Sequence, residues 1–256
     1  MRHSDLLDPV RVTVIAPVVR GEQVLDPPHA VPGVVAEYRS LASGTSSIES
    51  RWDDAFAVPG ILDAAIRAEE SGAQAIVIDC MDDPGLDAAR EVVRIPVVGP
   101  AQASMHLALT LADRFTIVTT LAKDIPIVRE LVERNRLEHR CTSVQALGLP
   151  PADLHHDEGA TYEAFAAAAR AAVEVEGAAA IIAGCTMLAG RTGRVAARLA
   201  ADGIDVPVID PHAAALHHAL TLVRLGISHS GAGYPAPTKK QASWPAPGMR
   251  FERSVG

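Results

Sequence analysis

The chain repeats itself. Gly72 opens the run Gly-Ala-Gln-Ala-Ile-Val-Ile-Asp-Cys, which ends at Cys80, and Gly177 opens Gly-Ala-Ala-Ala-Ile-Ile-Ala-Gly-Cys, which ends at Cys185. In both copies the glycine precedes the cysteine by 8 positions. Further on, Pro96-Val97-Val98-Gly99-Pro100 answers Pro207-Val208-Ile209-Asp210-Pro211, and Ala108-Leu109-Thr110-Leu111 answers Ala219-Leu220-Thr221-Leu222. The same 12 positions separate Pro96 from Ala108 and Pro207 from Ala219. A repeat offset by nearly half of a 256-residue chain describes two similar units and excludes a short-period solenoid. With 48% hydrophobic residues the chain has ample apolar surface to offset the entropy of ordering it.

The repeated runs are β-branched and apolar, and long Ala- and Leu-rich stretches of helical period separate them. Strands are predicted over Val12 to Ala16, Ala75 to Asp79, Pro96 to Val98, Phe115 to Thr119, Ala179 to Ala183 and Val206 to Ile209. Helices are predicted over Gly60 to Ser71, Pro84 to Val93, Ala101 to Ala112, Pro126 to Leu137, Tyr162 to Glu176 and Val195 to Ala201. Fully apolar strands alternating with helices give a parallel sheet covered on both faces, the α/β class. Residues Ile227 to Gly256, rich in Gly, Pro and Ser, read as a tail laid over the surface or partly disordered.

Charge narrows the partners. A formal net charge of −8, with no basic cluster before Lys239-Lys240, argues against nucleic acid or an anionic membrane and for a small molecule. The apolar run from Val12 to Val19 is about half of a membrane span, so the expected compartment is the cytoplasm. Three cysteines in a chain of this length suit free thiols better than a disulfide framework. His155-His156 and His217-His218 lack the spacing of a metal site, and no metal or other cofactor is expected. Gly72 and Gly177 precede strands instead of following them, so neither begins a dinucleotide fingerprint.

Both repeated cysteines sit where a strand gives way to a loop, which in open parallel sheets is where ligands collect. After Cys80, Asp83 is placed to cap a helix with Pro84 in its first turn, aiming a helix N-terminus at the thiol and favouring its thiolate. Two thiols facing one cleft suit proton transfer at a carbon acid: one removes a proton from one face, the other returns a proton to the opposite face, and N–H donors hold the enolate between. A cysteine closing a buried strand is, taken singly, more often a small core residue. The matched placement of two is what favours catalysis. Cys141 lies outside the repeat and reads as structural.

Gly44-Thr45-Ser46-Ser47-Ile48-Glu49-Ser50, the segment from Asp79-Cys80-Met81-Asp82-Asp83-Pro84-Gly85 to Glu91, and Gly184-Cys185-Thr186-Met187 resemble the hydantoin and allantoin racemase branch of the aspartate/glutamate racemase superfamily. The likeness extends through Phe115 to Thr120 and the segment around Gly226 to Ser230, covering roughly residues 10 to 240. It implies two pseudo-twofold-related Rossmann-like units with parallel four-stranded sheets and an active site between them, residues 1–107 with 213–256 forming one unit and 108–212 the other. It further implies a homo-oligomer and cofactor-independent racemisation with Cys80 and Cys185 as the acid/base pair. The backbone amides of Met81, Asp82, Thr186 and Met187 would surround substrate carbonyl oxygens, and Thr119 and Thr120 match a substrate-side position.

One departure bears on the substrate. Such racemases carry Asn-Pro-Asn-Thr-Ser after the first strand, whereas this chain has Ala16-Pro17-Val18-Val19-Arg20. An apolar wall at Pro17 and Val18 suits a 5-substituted hydantoin or a diketopiperazine better than allantoin or a free amino acid. Ser47 lies in a segment, Ser46 to Glu49, that reads equally as a capping box and as a substrate contact. His212, at a strand end, is a further substrate-side candidate, although such histidines are usually satisfied structural groups. The competing readings are a maleate isomerase-like enzyme, an arylmalonate decarboxylase-like enzyme, which needs only one cysteine, and a binding protein that has lost activity.

Overall fold

The structure, a computed structural model, describes residues 8–20 and 30–238. It contains two parallel four-stranded sheets of identical topology. The first, from β1 (Val10–Ala16), β2 (Val34–Ser40), β3 (Ala75–Ile78) and β4 (Val97–Val98), has the order β2-β1-β3-β4. The second, from β5 (Phe115–Thr119), β6 (Cys141–Ala146), β7 (Ile181–Ala183) and β8 (Val208–Ile209), has the order β6-β5-β7-β8. Every residue of β3, β5 and β7 is buried, as inner strands covered on both faces must be. The edge strands β2 and β6 were not predicted. β2 alternates half-buried and exposed residues, and β6 buries only Val144, so neither carries an apolar run.

Among the described residues seven α-helices cover the sheets: α1 (Arg51–Glu70), α2 (Leu86–Val92), α3 (Pro100–Leu111), α4 (Ile125–Arg134), α5 (Glu158–Glu174), α6 (Thr192–Ala201) and α7 (Pro211–Leu225). On the first sheet, Ile15, Ile76 and Ile78 pack beneath α1 and α2, while Val12, Val14 and Val77 pack against Ala215, Leu216 and Ala219 of α7. On the second, Val118, Ile181 and Ala183 meet α5 and α6, while Phe115, Ile117 and Ile182 meet α4 and Ala101, Met105 and Ala108 of α3. The helix that follows each sheet's last strand therefore crosses to the other sheet. α3 and α7 pack against one another, and the equivalent runs Ala108 to Leu111 and Ala219 to Leu222 fall on these two exchanged helices.

Helix starts differ from the sequence reading for local reasons. α1 begins at Arg51, well before the predicted Gly60, because Ser50 caps it: its hydroxyl accepts from the Asp53 N–H and donates to the Asp53 carboxylate at 2.7 Å. That carboxylate also accepts the Glu49 N–H at 3.2 Å, so the helix is capped at Ser50 and not within Ser46 to Glu49, where a capping box is expected. The helix then runs through Pro59 and Gly60, the latter because a β-carbon there would lie 3.1 Å from Leu41 and 3.2 Å from the Ser43 carbonyl. α2 is capped by Gly85, in the left-handed region at φ 66°, and not by Asp83. The Asp83 side chain turns away to the start of α3, accepting the N–H groups of Ala101 at 3.0 Å and Gln102 at 2.9 Å. In the other half Asp210 caps α7 itself, accepting from the Ala213 N–H at 3.1 Å.

The described part of the tail lies on the first sheet's side. The Ser228 hydroxyl donates to the Arg94 carbonyl at 2.7 Å, and Arg90 donates to the Tyr234 hydroxyl at 3.1 Å. Lys239-Lys240 and the remainder of the tail lie outside the described residues. Among the described residues no helix is long and apolar enough to cross a membrane.

The Asp83 cap explains Gly99, where a β-carbon would fall 2.4 Å from the Asp83 carboxyl carbon. Gly99→Ala is expected to destabilise the fold by about 1–3 kcal/mol through overpacking. Gly193→Ala in α6, where a β-carbon meets nothing within 4 Å, should instead stabilise it by about 0.5–1 kcal/mol. Urea unfolding of the two variants measures both, and equal effects would refute the steric account.

Candidate active site

The exchanged helices bring the carboxyl ends of β3 and β7 to one cleft of about 1120 Å³, and Cys80 and Cys185 both line it. Each strand ends one residue before the residue that precedes its cysteine: β3 stops at Ile78, before Asp79, and β7 at Ala183, before Gly184. Gly184 is required by contact, since a β-carbon there would sit 2.8 Å from the Val118 carbonyl oxygen and 2.9 Å from the Thr119 backbone. Beyond each cysteine the chain folds back tightly. The Asp83 N–H donates to the Cys80 carbonyl at 3.1 Å and the Leu188 N–H to the Cys185 carbonyl at 3.0 Å. These turns aim one N–H at each sulfur, that of Asp82 at Cys80 and that of Met187 at Cys185. The two halves are tied across the cleft floor by the Thr186 hydroxyl, which donates to the Asp79 carbonyl at 3.3 Å.

The thiols do not rest as thiolates. Burial, and after it the Asp82 carboxylate, pushes Cys80 well above its ordinary value, against the lowering effect of the Asp82 N–H. Burial likewise pushes Cys185 up to about 12, with Asp79, Asp82 and Asp124 adding to the shift. The helix N-terminus expected at Asp83 and Pro84 lies further along the chain, since α2 starts only at Leu86 and the Asp83 carboxylate is committed to α3. Cys141 lies outside the cleft, donates to the Ser143 carbonyl at 3.3 Å, and is pushed up to about 11 by burial. All three cysteines are free.

Most of the predicted site residues meet in this cleft: Pro17 and Val18 from the loop after β1, Ser47 from the loop before α1, Met81 and Asp82 after β3, Thr119 and Thr120 after β5, and Thr186 and Met187 after β7. Three of their hydroxyls are already engaged, Ser47 donating to Glu49 at 2.9 Å, Thr120 to Asp124 at 3.2 Å and Thr186 to the Asp79 carbonyl at 3.3 Å. His212 does not line the cleft. It is fully buried in the first turn of α7, with Nδ1 3.0 Å from the Asp79 carboxylate and Nε2 2.9 Å from the Tyr38 hydroxyl. Burial opposes its charge, but the neighbouring Asp79 outweighs this and its pKa is raised. Tyr38 and Asp79 stand between His212 and the ligand space, and both line the cleft. The sequence reading missed Tyr38 and Asp124. Tyr38 lies on an unpredicted edge strand, and Asp124 resembles any acid at a helix start; among the described residues no cluster of His, Cys, Asp and Glu is arranged to hold a metal.

Two α/β units of identical topology, with a cysteine from each lining a common cleft, fit an isomerase of the racemase class. The chain belongs to the Asp/Glu/Hydantoin racemase family, whose profile matches residues 22–219. It is 37% identical over 211 residues to a hydantoin racemase of Paenarthrobacter aurescens, covering 82% of this chain and 87% of that one. It is 36% identical over 199 residues to a hydantoin racemase of Rhizobium meliloti, covering 77% and 80%. The solved allantoin racemase from Klebsiella pneumoniae superposes with a TM-score of 0.83 at 32% identity, covering 92% of this chain and 96% of that one.

Burial, with Asp54, Asp124 and Asp83 nearby, pushes the Asp82 carboxyl up to about 7, and burial pushes Asp83 to about 7 and Asp54 to about 6. These folded-state values exceed those of the unfolded chain, so between roughly pH 4 and 7 the folded state binds more protons and loses stability as pH rises. His212, also raised, acts in the same direction; Glu49, lowered mainly by its hydrogen bond from Lys123, acts in the opposite one. The denaturation midpoint is therefore expected to be higher at pH 5 than at pH 8. Asp82→Asn should raise the midpoint at pH 8 and flatten the dependence. A midpoint that rises from pH 5 to pH 8 would refute this account.

Proposed function

We propose that this protein racemises or epimerises a cyclic amide, a 5-substituted hydantoin-like ring or a diketopiperazine, at the acidic carbon next to a ring carbonyl. The observation that carries the reading is the matched pair: Cys80 and Cys185 end equivalent strands of the two halves, line the same cleft, and each receive one backbone N–H. One sulfur, as thiolate, takes the α-proton, so that a C–H bond breaks and an S–H bond forms while the electron pair passes into the enolate. The other thiol gives its proton to the opposite face, an S–H bond breaks, and the inverted C–H bond forms. Only protons change place, so the chemistry requires no redox or electron-sink cofactor. The high thiol pKa values suit it in one respect: such a thiol is seldom ionised, but its thiolate is the stronger base toward a weak carbon acid.

Substrate preference follows from the wall. Ala16, Pro17, Val18 and Val19 line the cleft with apolar surface and favour a ring bearing an apolar stem over a small polar ureide. The same reading keeps residues 1–107 with 213–256 and residues 108–212 as the two units, working in a homo-oligomer. Cys80→Ser and Cys185→Ser are each expected to lower racemisation of a 5-substituted hydantoin by more than about 100-fold, the scale of losing a general acid or base. In heavy water each variant should still exchange the α-proton of one enantiomer. Racemisation at the wild-type rate in either variant overturns the two-base mechanism, and activity on allantoin alone overturns the substrate assignment.

A further inference from the structure

The part of the cleft around the thiols is acidic, and two of its carboxyl groups, half-buried Asp82 and buried Asp124, keep acceptor capacity that the protein does not use. Asp82 lines the cleft, and its carboxyl makes no hydrogen bond among the described residues. The charges that act on it are the carboxylates Asp54, Asp124 and Asp83. Asp124 also lines the cleft and is only 8% exposed. Its Oδ2 accepts from the Thr120 hydroxyl and the Leu121 N–H, each at 3.2 Å, whereas its Oδ1 is buried with no hydrogen-bond partner. An orphaned carboxylate oxygen in a low-dielectric site costs desolvation energy that nothing in the protein returns.

The cations of the cleft are placed elsewhere. Arg191 is bound to Glu158 and to the carbonyls of Met187 and Leu154. Arg194 covers the Tyr162 ring at 4.5 Å, and Lys123, which acts on Asp124, is itself held by Glu49 at 3.0 Å. Arg20 lines the cleft with its Nε buried and without a hydrogen-bond partner, but it does not figure among the charges acting on Asp82, Asp124 or either thiol, so it serves a different part of the cleft. Asp79, the third acid beside the thiols, is engaged by His212. Negative charge is thus concentrated beside the thiols, where the cyclic-amide reading puts the α-carbon and its substituent.

We propose that this corner receives a cationic substituent, an ammonium or guanidinium carried by the cyclic amide, with Asp124 Oδ1 and the Asp82 carboxylate as its acceptors. The inference rests on the cyclic-amide reading above and names the substituent that this reading leaves open. The apolar stem of such a substituent lies along Pro17 and Val18, and its charged end supplies the donors that Asp124 and Asp82 lack. In this corner an anionic substituent meets the like charge of Asp82 and Asp124, and a neutral one leaves Asp124 Oδ1 unpaired.

Three hydantoins of matched length test it, carrying 4-aminobutyl, pentyl and 4-carboxybutyl groups at C5. The wild type is expected to favour the aminobutyl over the pentyl ring by about tenfold or more in kcat/KM, the scale of a charged hydrogen bond, and to act least on the carboxybutyl ring. Asp124→Asn retains an oxygen for Thr120 and Leu121 and should bring the aminobutyl-to-pentyl ratio to within about threefold; Asp82→Asn, with melting curves to show folding, provides the second variant. Calorimetry with 5-methyl-5-(4-aminobutyl)hydantoin and its pentyl counterpart, which have no removable α-proton, reads the same preference without turnover. Equal handling of the three rings overturns the inference, as does a preference undiminished in both variants. Charge-selective binding without racemisation overturns the racemase reading and upholds the inference. Racemisation without charge selectivity does the reverse, and absence of both binding and turnover overturns both.

Discussion

The exchange of α3 and α7 between the two sheets is the packing on which the cleft depends. Each helix follows the last strand of one sheet and buries its small-residue face on the other, Ala101, Met105 and Ala108 against the second sheet and Ala215, Leu216 and Ala219 against the first. An apolar helix face not buried here would leave one face of each sheet in water, so the units are held together by the same hydrophobic term that folds them separately. Asp83 and Asp210 secure the first turns of these helices. The carboxyl ends of β3 and β7 then meet, and with them Cys80 and Cys185.

Electrostatics in the cleft pulls against that arrangement. Under the proposed chemistry proton abstraction creates an enolate, and a site lined by Asp79, Asp82 and Asp124 opposes added negative charge as it opposes thiolate formation. The structure answers with few donors: the N–H groups of Asp82 and Met187, one for each sulfur. Fixed backbone dipoles of this kind need no reorganisation as charge develops, which gives them more weight than their number suggests. The Asp79 carboxylate is restrained by His212, which is itself held by Tyr38, so the residue preceding Cys80 is anchored from behind the cleft.

What was legible in the sequence is what burial imposes on it. Inner strands must be apolar on both faces, so the segments around β1, β3, β5 and β7 stand out, and the repeat by itself marks Cys80 and Cys185 as equivalent strand-end residues. The edge strands β2 and β6 escaped because one flank faces water, and Tyr38 escaped with β2. The Asp83 cap was misassigned because capping patterns are local, whereas its true acceptor role joins residues 18 positions apart. His212 was read toward the ligand because it follows a strand end; which way a side chain turns there depends on Asp79 and Tyr38, 133 and 174 positions away.

The repeat is kept in the backbone and broken in the side chains around the sulfurs. Before the cysteine, Asp79 in the first half corresponds to Gly184 in the second, where the close approach of Val118 and Thr119 leaves no room for a side chain. Two residues after it, Asp82 corresponds to Met187. The thiols therefore stand in unequal surroundings, Cys80 beside Asp82 and Cys185 within reach of three carboxylates. For a ring with one stereocentre the equilibrium constant of racemisation is unity whatever the enzyme does, so under the proposed chemistry this asymmetry is confined to how tightly each enantiomer binds and how fast the bound form reacts. The two effects must cancel in kcat/KM. Breaking the twofold relation around the sulfurs thus leaves the position of equilibrium unchanged, and under the proposed reading it leaves Asp82, which has no counterpart acid in the second half, to serve recognition.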